Sequence, residues 1–203
     1  MTAKPSDSKR KDIIRGATTM FLKHGFSTVS MDKIAQAAPV SKATLYKYFD
    51  SKNALFTAVI DELCDSLFQT MDEALLDSGS VENNLTNIAT AFVDLIFTEE
   101  ALAIYRLVIS ECRDFPELGR LLYEGAPKDL LSQLEHYLIN INKLDHINIV
   151  SPAFAADAFL SLLKGELHFQ CLLGIKAPPS VEEKKTHINQ VVAFYSQGFI
   201  YAH

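Results

Sequence analysis

No run in this 203-residue sequence approaches the roughly eighteen consecutive apolar residues that a membrane-crossing helix requires. With 48% of its residues hydrophobic and 22% charged, the chain is expected to be soluble and to have no membrane partner. Cysteine is scarce as well. Cys64, Cys112 and Cys171 are odd in number and far apart, which argues against a disulfide framework and fits a reducing cytoplasm. None has an adjacent cluster of basic residues to lower its pKa. The basic start, MTAKPSDSKRKD, is not followed by an apolar segment, so no secretory signal is expected. Catalytic signatures are missing too: there is no glycine-rich phosphate loop, no HExxH pair and no GxSxG elbow. His168 and Cys171 share a helix face but lack further ligands nearby, so no metal, no cofactor and no enzymatic activity are expected. Strand alternation, internal repeats and low-complexity segments are also absent, and the fold class is all-α.

What is present is unevenly placed. The net charge of −6 hides a split: residues 1–55 hold ten Lys and Arg against four Asp and Glu, and the remainder nine against twenty-one. One end of the chain therefore seeks polyanions while the rest avoids them. The lysines at 33, 42, 47 and 52 fall inside a patterned segment and not in a basic tail.

The centre of that segment is Met31 to Phe49, MDKIAQAAPVSKATLYKYF, which reads as two short helices joined by a tight turn. Ile34 and Ala35 mark the buried side of the first. Pro39 ends it and biases Ala38 toward an extended backbone. Ser41 caps the second helix, on which Leu45 and Phe49 share an inward face at about 100° per residue. Ala43 and Lys47 lie opposite, flanked by Lys42, Thr44, Tyr46 and Tyr48. Such a face suits double-stranded DNA. Lysines neutralise phosphates, tyrosine hydroxyls donate to them, and Ala or Thr methyls can meet a thymine methyl in the major groove. The small Ala35, the turn after it and Leu45 have the spacing of a helix-turn-helix. Ser30 caps the first helix, with Asp32 in its first turn, and a hydroxyl at such an end is a candidate phosphate contact.

Around this segment, Lys9 to His24 reads as a helix with Ile13, Ile14, Ala17, Met20 and Phe21 as its apolar stripe, ended by Gly25 at positive φ, with Phe26 plugging a small core. Asp50 and Ser51 cap a helix from about Lys52 to Leu76, striped by Leu55, Phe56, Val59, Leu63, Leu67, Phe68 and Met71. Ser78-Gly79-Ser80 breaks it before Val81 to Phe97. The next segment starts at Thr98-Glu99-Glu100, with Leu102, Tyr105, Ile109 and Cys112 on one side. Pro116 precedes two stretches, Leu118–Glu124 and Lys128–Ile141, and Asn140 to Asn148 reads as a loop. Ser151-Pro152 opens a helix to about Leu173, on which Ala155, Ala158, Leu162, Gly165 and Phe169 form a face of small residues for a close neighbour. A capping box at Ser180 and Glu183 opens the last helix, carrying Ile188, Val191, Val192, Tyr195 and Phe199.

Phe21, Gly25, Phe26, Val29, Ser30, Ile34, Ala35, Val40, Ser41, Lys42, Thr44, Leu45, Tyr46, Tyr48, Phe49, Ser51, Lys52 and Leu55 together strongly resemble the DNA-binding domain of the tetracycline-repressor (TetR) family of bacterial transcription regulators. The resemblance implies a three-helix DNA-binding domain with a helix-turn-helix over 1–50, then a larger helical domain over 51–203 for effector binding and dimerisation. It implies DNA contacts at Ser30, Ser41, Lys42, Ala43, Thr44, Tyr46, Lys47, Tyr48 and Lys52. Ala43, Thr44 and Lys47 would be nearest the bases, and Lys52 on a backbone phosphate. It also implies homodimerisation through the last two helices and a cavity for an unidentified small-molecule effector. Polar residues set in apolar helices are the candidates to line that cavity: Tyr105, Arg106, Glu111, Arg113, His168 and Gln170. The segment IYRLVISECRDFPEL is similar to one C-terminal subtype of the family. The family usually has glycine where Pro39 and Ala43 stand, and proline cannot take a positive φ, so the turn is expected to differ. The expected function is a ligand-responsive repressor that binds a palindromic operator as a dimer. The residues also admit a helical small-molecule or protein-binding module that has lost DNA binding, or a thiol- or metal-responsive regulator on the same fold.

Overall fold

The computed structural model of the chain describes residues 5–76, 80–144 and 147–200, and the side chains at 5–7, 66, 74–76, 199 and 200 lie outside that description. The helix break expected at Ser78-Gly79, part of the 140–148 loop and the inward role of Phe199 therefore fall outside the described residues. Among the described residues ten α-helices follow one another: α1 (Pro5–His24), α2 (Met31–Ala37), α3 (Lys42–Tyr48), α4 (Lys52–Leu76), α5 (Val81–Ile96), α6 (Glu99–Glu111), α7 (Pro116–Glu124), α8 (Ala126–Ile141), α9 (Pro152–Leu172) and α10 (Val181–Tyr195). A π-helical turn, Ser196–Ile200, prolongs α10. No strand occurs among the described residues, and the fold is all-α.

Local chemistry sets most of these boundaries. Ser80 accepts from the Asn83 amide, and Ser180 with Glu183 forms the complete capping box that the sequence announces. Pro116 and Pro127 interrupt nothing. They stand in the first turns of α7 and α8, where the missing N–H would have had no intrahelical partner. Ser151 precedes Pro152 as expected but makes no side-chain cap bond.

The helices form two compact units, one of Met1–Leu63 with Ala103–Ala126, the other of Cys64–Leu102 with Pro127–His203. In these units the C-terminal part of α6 and all of α7 group with the N-terminal helices. The first unit is built on Ile13, Ile14, Ala17 and Phe21 of α1, Phe26 and Val29 of the following loop, Ile34, Ala35, Leu45 and Phe49, and Leu55, Phe56 and Val59 of α4, all buried. From α6 it takes Ile104, Leu107 and Val108, whereas Ile109 is 62% exposed. The row that Ile109 shares with Leu102 is therefore buried at one end and exposed at Ile109. Two apolar rows run along this helix at i, i+3, i+4 spacing, and neighbours distant in sequence decide which is buried.

In the second unit α5 and α10 bury their apolar faces with α9 around Leu85, Phe92, Phe159, Leu163, Val191 and Tyr195. The Tyr195 hydroxyl donates to the Ala155 carbonyl at 2.9 Å, and its ring lies 4.7 Å from that of Phe159. The helix from Pro152 is not one straight rod. Gly165 sits at φ 51°, ψ −163°, a region essentially reserved for glycine, and breaks the helical run. The Leu163 carbonyl next to the break is capped by His187 of α10, whose Nε2 lies 2.9 Å away and, facing an acceptor-only oxygen, must carry the proton. The continuous small-residue face expected from Ala155 to Phe169 is overturned by this break, for Ala155 is fully buried while Phe169 is 56% exposed.

Candidate nucleic-acid interface

The reading element is assembled by caps and by two buried side chains. Ser30 accepts from the Lys33 amide at 3.3 Å and starts α2; Ser41 accepts from the Thr44 amide at 3.1 Å and starts α3. Between them the turn takes a form the sequence did not suggest. Ala38 adopts φ −90°, ψ 17°, not the extended backbone expected before proline. The turn nevertheless closes, since the Val40 amide donates to the Ala35 carbonyl at 3.1 Å and the Ala38 amide to Ile34 at 2.9 Å. The first spans the same six residues as the outer bond of a Schellman motif, without that motif's left-handed residue or its inner bond. It is made here with Pro39 at the position glycine usually holds, and no non-glycine residue among those described has positive φ.

Leu45 is fully buried and Phe49 nearly so, which fixes the rotation of α3. Lys42, Ala43, Tyr46 and Lys47 are consequently exposed, and Thr44 and Tyr48 are half-buried at the flanks. Ser41 also meets Thr44 through their hydroxyls at 2.8 Å, so both are held in place. Lys42 Nζ pairs with Asp32 at 2.8 Å, a contact across the turn that raises the lysine pKa through the hydrogen bond and the adjacent charge. Both partners are largely exposed, so the pair can open toward a phosphate at little cost.

Lys52 is placed differently from Lys42 and Lys47. Its Nζ donates to the Phe26 carbonyl at 2.8 Å and the Val29 carbonyl at 2.9 Å, and lies 4.2 Å from the centre of the Phe26 ring. Burial lowers its pKa, opposed by the charges of Glu111 and Glu117. Two of its three donors are spent on the loop between α1 and α2, leaving one for a phosphate. The opposite side of that loop is held by Glu111, whose Oε1 accepts from the Phe26 amide at 2.9 Å and Oε2 from the Ser27 amide at 2.8 Å.

The effector-lining candidates are not all in one unit. Tyr105, Arg106, Glu111 and Arg113 belong to the first and His168 and Gln170 to the second. Arg106 and Arg113 are exposed, and Gln170 donates to Glu166 one turn away at 3.2 Å. Glu111 accepts from the Phe26 and Ser27 amides as just described. His168 is 5% exposed, with its ring edge-on to Phe97 at 5.5 Å. Desolvation lowers its pKa to about 4, helped by the charge of Lys164 and opposed by a hydrogen bond to the Ile96 carbonyl.

Protonating that ring is therefore easier in the unfolded chain than in the folded one. The stability contributed by neutral His168 is present above pH 6.5 and is lost as the pH falls toward 4, with about 2 kcal/mol gone between pH 7 and pH 5. Urea unfolding at the two pH values should show this loss in the wild type and a clearly smaller one in His168→Gln. An unchanged pH dependence in the variant would refute it.

The arrangement defines the class: an all-α protein that presents the second helix of a helix-turn-helix on a capped, buried anchor. Comparison with known proteins is consistent throughout. The family described as bacterial regulatory proteins, tetR family, matches residues 13–59, and the C-terminal domain of AefR-like transcriptional repressors matches residues 83–198. The chain belongs to the TetR family of transcriptional regulators. Among solved structures, the flavonoid-responsive regulator FrrA is 32% identical, with a TM-score of 0.74 over 97% of this chain and 100% of that one. A TetR-family regulator from Mesorhizobium loti is 25% identical, with a TM-score of 0.75 over 96% and 98%. Of the curated relatives, the transcriptional activator FasR of Mycolicibacterium smegmatis is 34% identical over 51% of this chain and 47% of its own length. The chain thus spans about half the length of that relative.

Proposed function

We propose that this regulator is a repressor that binds a palindromic operator as a homodimer and is released by a small molecule. Residues 1–50 read DNA in this proposal, and 51–203 bind the effector and dimerise. The observation that carries it is the exposed face of α3 held outward by Leu45 and Phe49. Ala43, Thr44 and Lys47 approach bases, while Ser30, Ser41, Lys42, Tyr46 and Tyr48 hold phosphates, with Lys52 acting first on its own loop. Dimerisation is supported by apolar side chains left exposed on and beside the last two helices: Phe169 at 56%, Leu173 at 58% and Phe194 at 63%. Repression is supported by the match to a repressor C-terminal domain, and ligand response by the likeness to a flavonoid-responsive regulator. The closed turn at Pro39 favours retained DNA binding. Full burial of Cys171 disfavours a thiol sensor at that residue.

Selection of bound sequences from random duplexes should return a palindrome whose affinity falls steeply with salt. Recovery of no enriched sequence, from a protein that stays monomeric, would overturn the proposal. On the selected duplex Lys47→Ala should weaken binding by about 1–3 kcal/mol while leaving random DNA little affected. Tyr46→Phe, which removes a phosphate donor, should weaken both alike. Equal losses for Lys47→Ala on the two duplexes would reassign that lysine to phosphate.

A further inference from the structure

The loop over residues 25–29 is held by side chains from two helices that are not its neighbours in sequence. After α1 the Gly25 amide closes on the Phe21 carbonyl at 2.9 Å, and Gly25 turns left-handed at φ 80°. That reversal aims the next two amides the same way, making a small concave nest of N–H donors of the kind that binds anions. The anion is internal: Glu111, the last residue of α6, fills the nest with one carboxylate oxygen per amide. On the carbonyl side Lys52, the first residue of α4, takes the oxygens of Phe26 and Val29. The Phe26 and Ser27 amides are therefore satisfied from α6, and the Phe26 and Val29 carbonyls from α4. It leads directly into Ser30, the cap that starts α2 and with it the turn to α3.

We propose that Glu111 is a positioning residue for DNA recognition: by seating the Gly25–Ser27 nest it fixes the entry of α2 and hence the pose of α3 toward the duplex. This inference rests on the DNA-reading role proposed above. Glu111 touches no base or phosphate. Its effect is geometric, and a reading element must be held within about 0.5 Å to be productive. Hydrogen bonds from amides to a carboxylate are the stronger kind, and leaving two amides of a loop unsatisfied releases the loop from α6.

The test compares wild type, Glu111→Ala and Glu111→Gln on the selected palindrome, with melting temperature and amide exchange measured beside binding. Glu111→Ala should bind about tenfold more weakly or worse, with faster exchange at the Phe26 and Ser27 amides. Sodium acetate should restore much of that affinity relative to sodium chloride at equal ionic strength, because a free carboxylate can enter the vacated nest. Glu111→Gln keeps the volume and one acceptor, so it should lose less and gain nothing from acetate; it also decides the matter if the alanine variant folds poorly. Undiminished operator binding by a folded variant whose Phe26 and Ser27 amides exchange freely overturns the inference alone. So does weakened binding with no difference between acetate and chloride. Failure of the wild type to bind any duplex overturns the DNA-reading role itself.

Discussion

Phe26→Ala should be the most damaging single substitution in the first unit, with a loss of about 3–5 kcal/mol in folding stability and of operator binding at ordinary temperatures. The ring is 2% exposed and is the common member of an aromatic group, 5.5 Å from Phe21, 5.3 Å from Phe56 and 6.4 Å from Phe115. Those rings come from α1, α4 and the residue before α7, so truncation opens a cavity shared by three elements that cannot all collapse into it. It also removes the face over which the Lys52 ammonium lies at 4.2 Å, and a partly desolvated ammonium gains from such a face. Phe26→Leu should recover a large share of the loss, because it restores apolar volume but not the ring contacts. Urea unfolding followed by tyrosine fluorescence, with operator binding measured in parallel, checks both. An alanine variant less than about 1 kcal/mol destabilised would show that the aromatic group relaxes without strain, contrary to the close packing argued here.

Much of the DNA-reading element was legible in the sequence because the signals that build it are short-range. Ser30, Ser41 and Gly25 act on amides or backbone angles within a few residues, and Leu45 and Phe49 are one helical turn apart. The capping box at Ser180 is readable for the same reason. What escaped depends on partners far along the chain. Glu111 in an apolar helix announces that its carboxylate needs a partner, but the partners are amides 85 and 84 residues away, beyond the reach of any local pattern. Lys52 at a helix start looked like a phosphate ligand, and only the folded loop shows the carbonyls it serves. Gly165 read as a small residue for close packing. Its positive φ, and the His187 cap beside the break, have no signature in the local pattern. Pro39 is the converse case: the sequence correctly marked a different turn, yet the closing bond to Ala35 survives because it uses the amide of Val40 and not that of residue 39.

Gly25→Ala should then cost about 2–4 kcal/mol, from two sources that a double-mutant cycle separates. The first is intrinsic. At φ 80° a β-carbon meets its own backbone, a penalty of roughly 1–2 kcal/mol that no neighbour relieves. The second is specific to this fold, for a β-carbon at residue 25 would stand 2.5 Å from Glu111 Oε1. The end of a glutamate moves easily. Moving it, however, takes the oxygen away from the Phe26 amide at 2.9 Å, so the cost of the clash is the cost of the bonds it breaks. In a protein already carrying Glu111→Ala that second part is absent, and Gly25→Ala should cost only the backbone penalty. Urea unfolding of the wild type, both single variants and the double variant should therefore give a double-mutant loss smaller than the sum of the singles by about 1–2 kcal/mol. Operator binding should follow the same pattern, the second substitution adding little once the nest is empty. Strictly additive losses would mean that the carboxylate yields to the new methyl without releasing its amides, and that glycine is required at this position for its backbone angle alone.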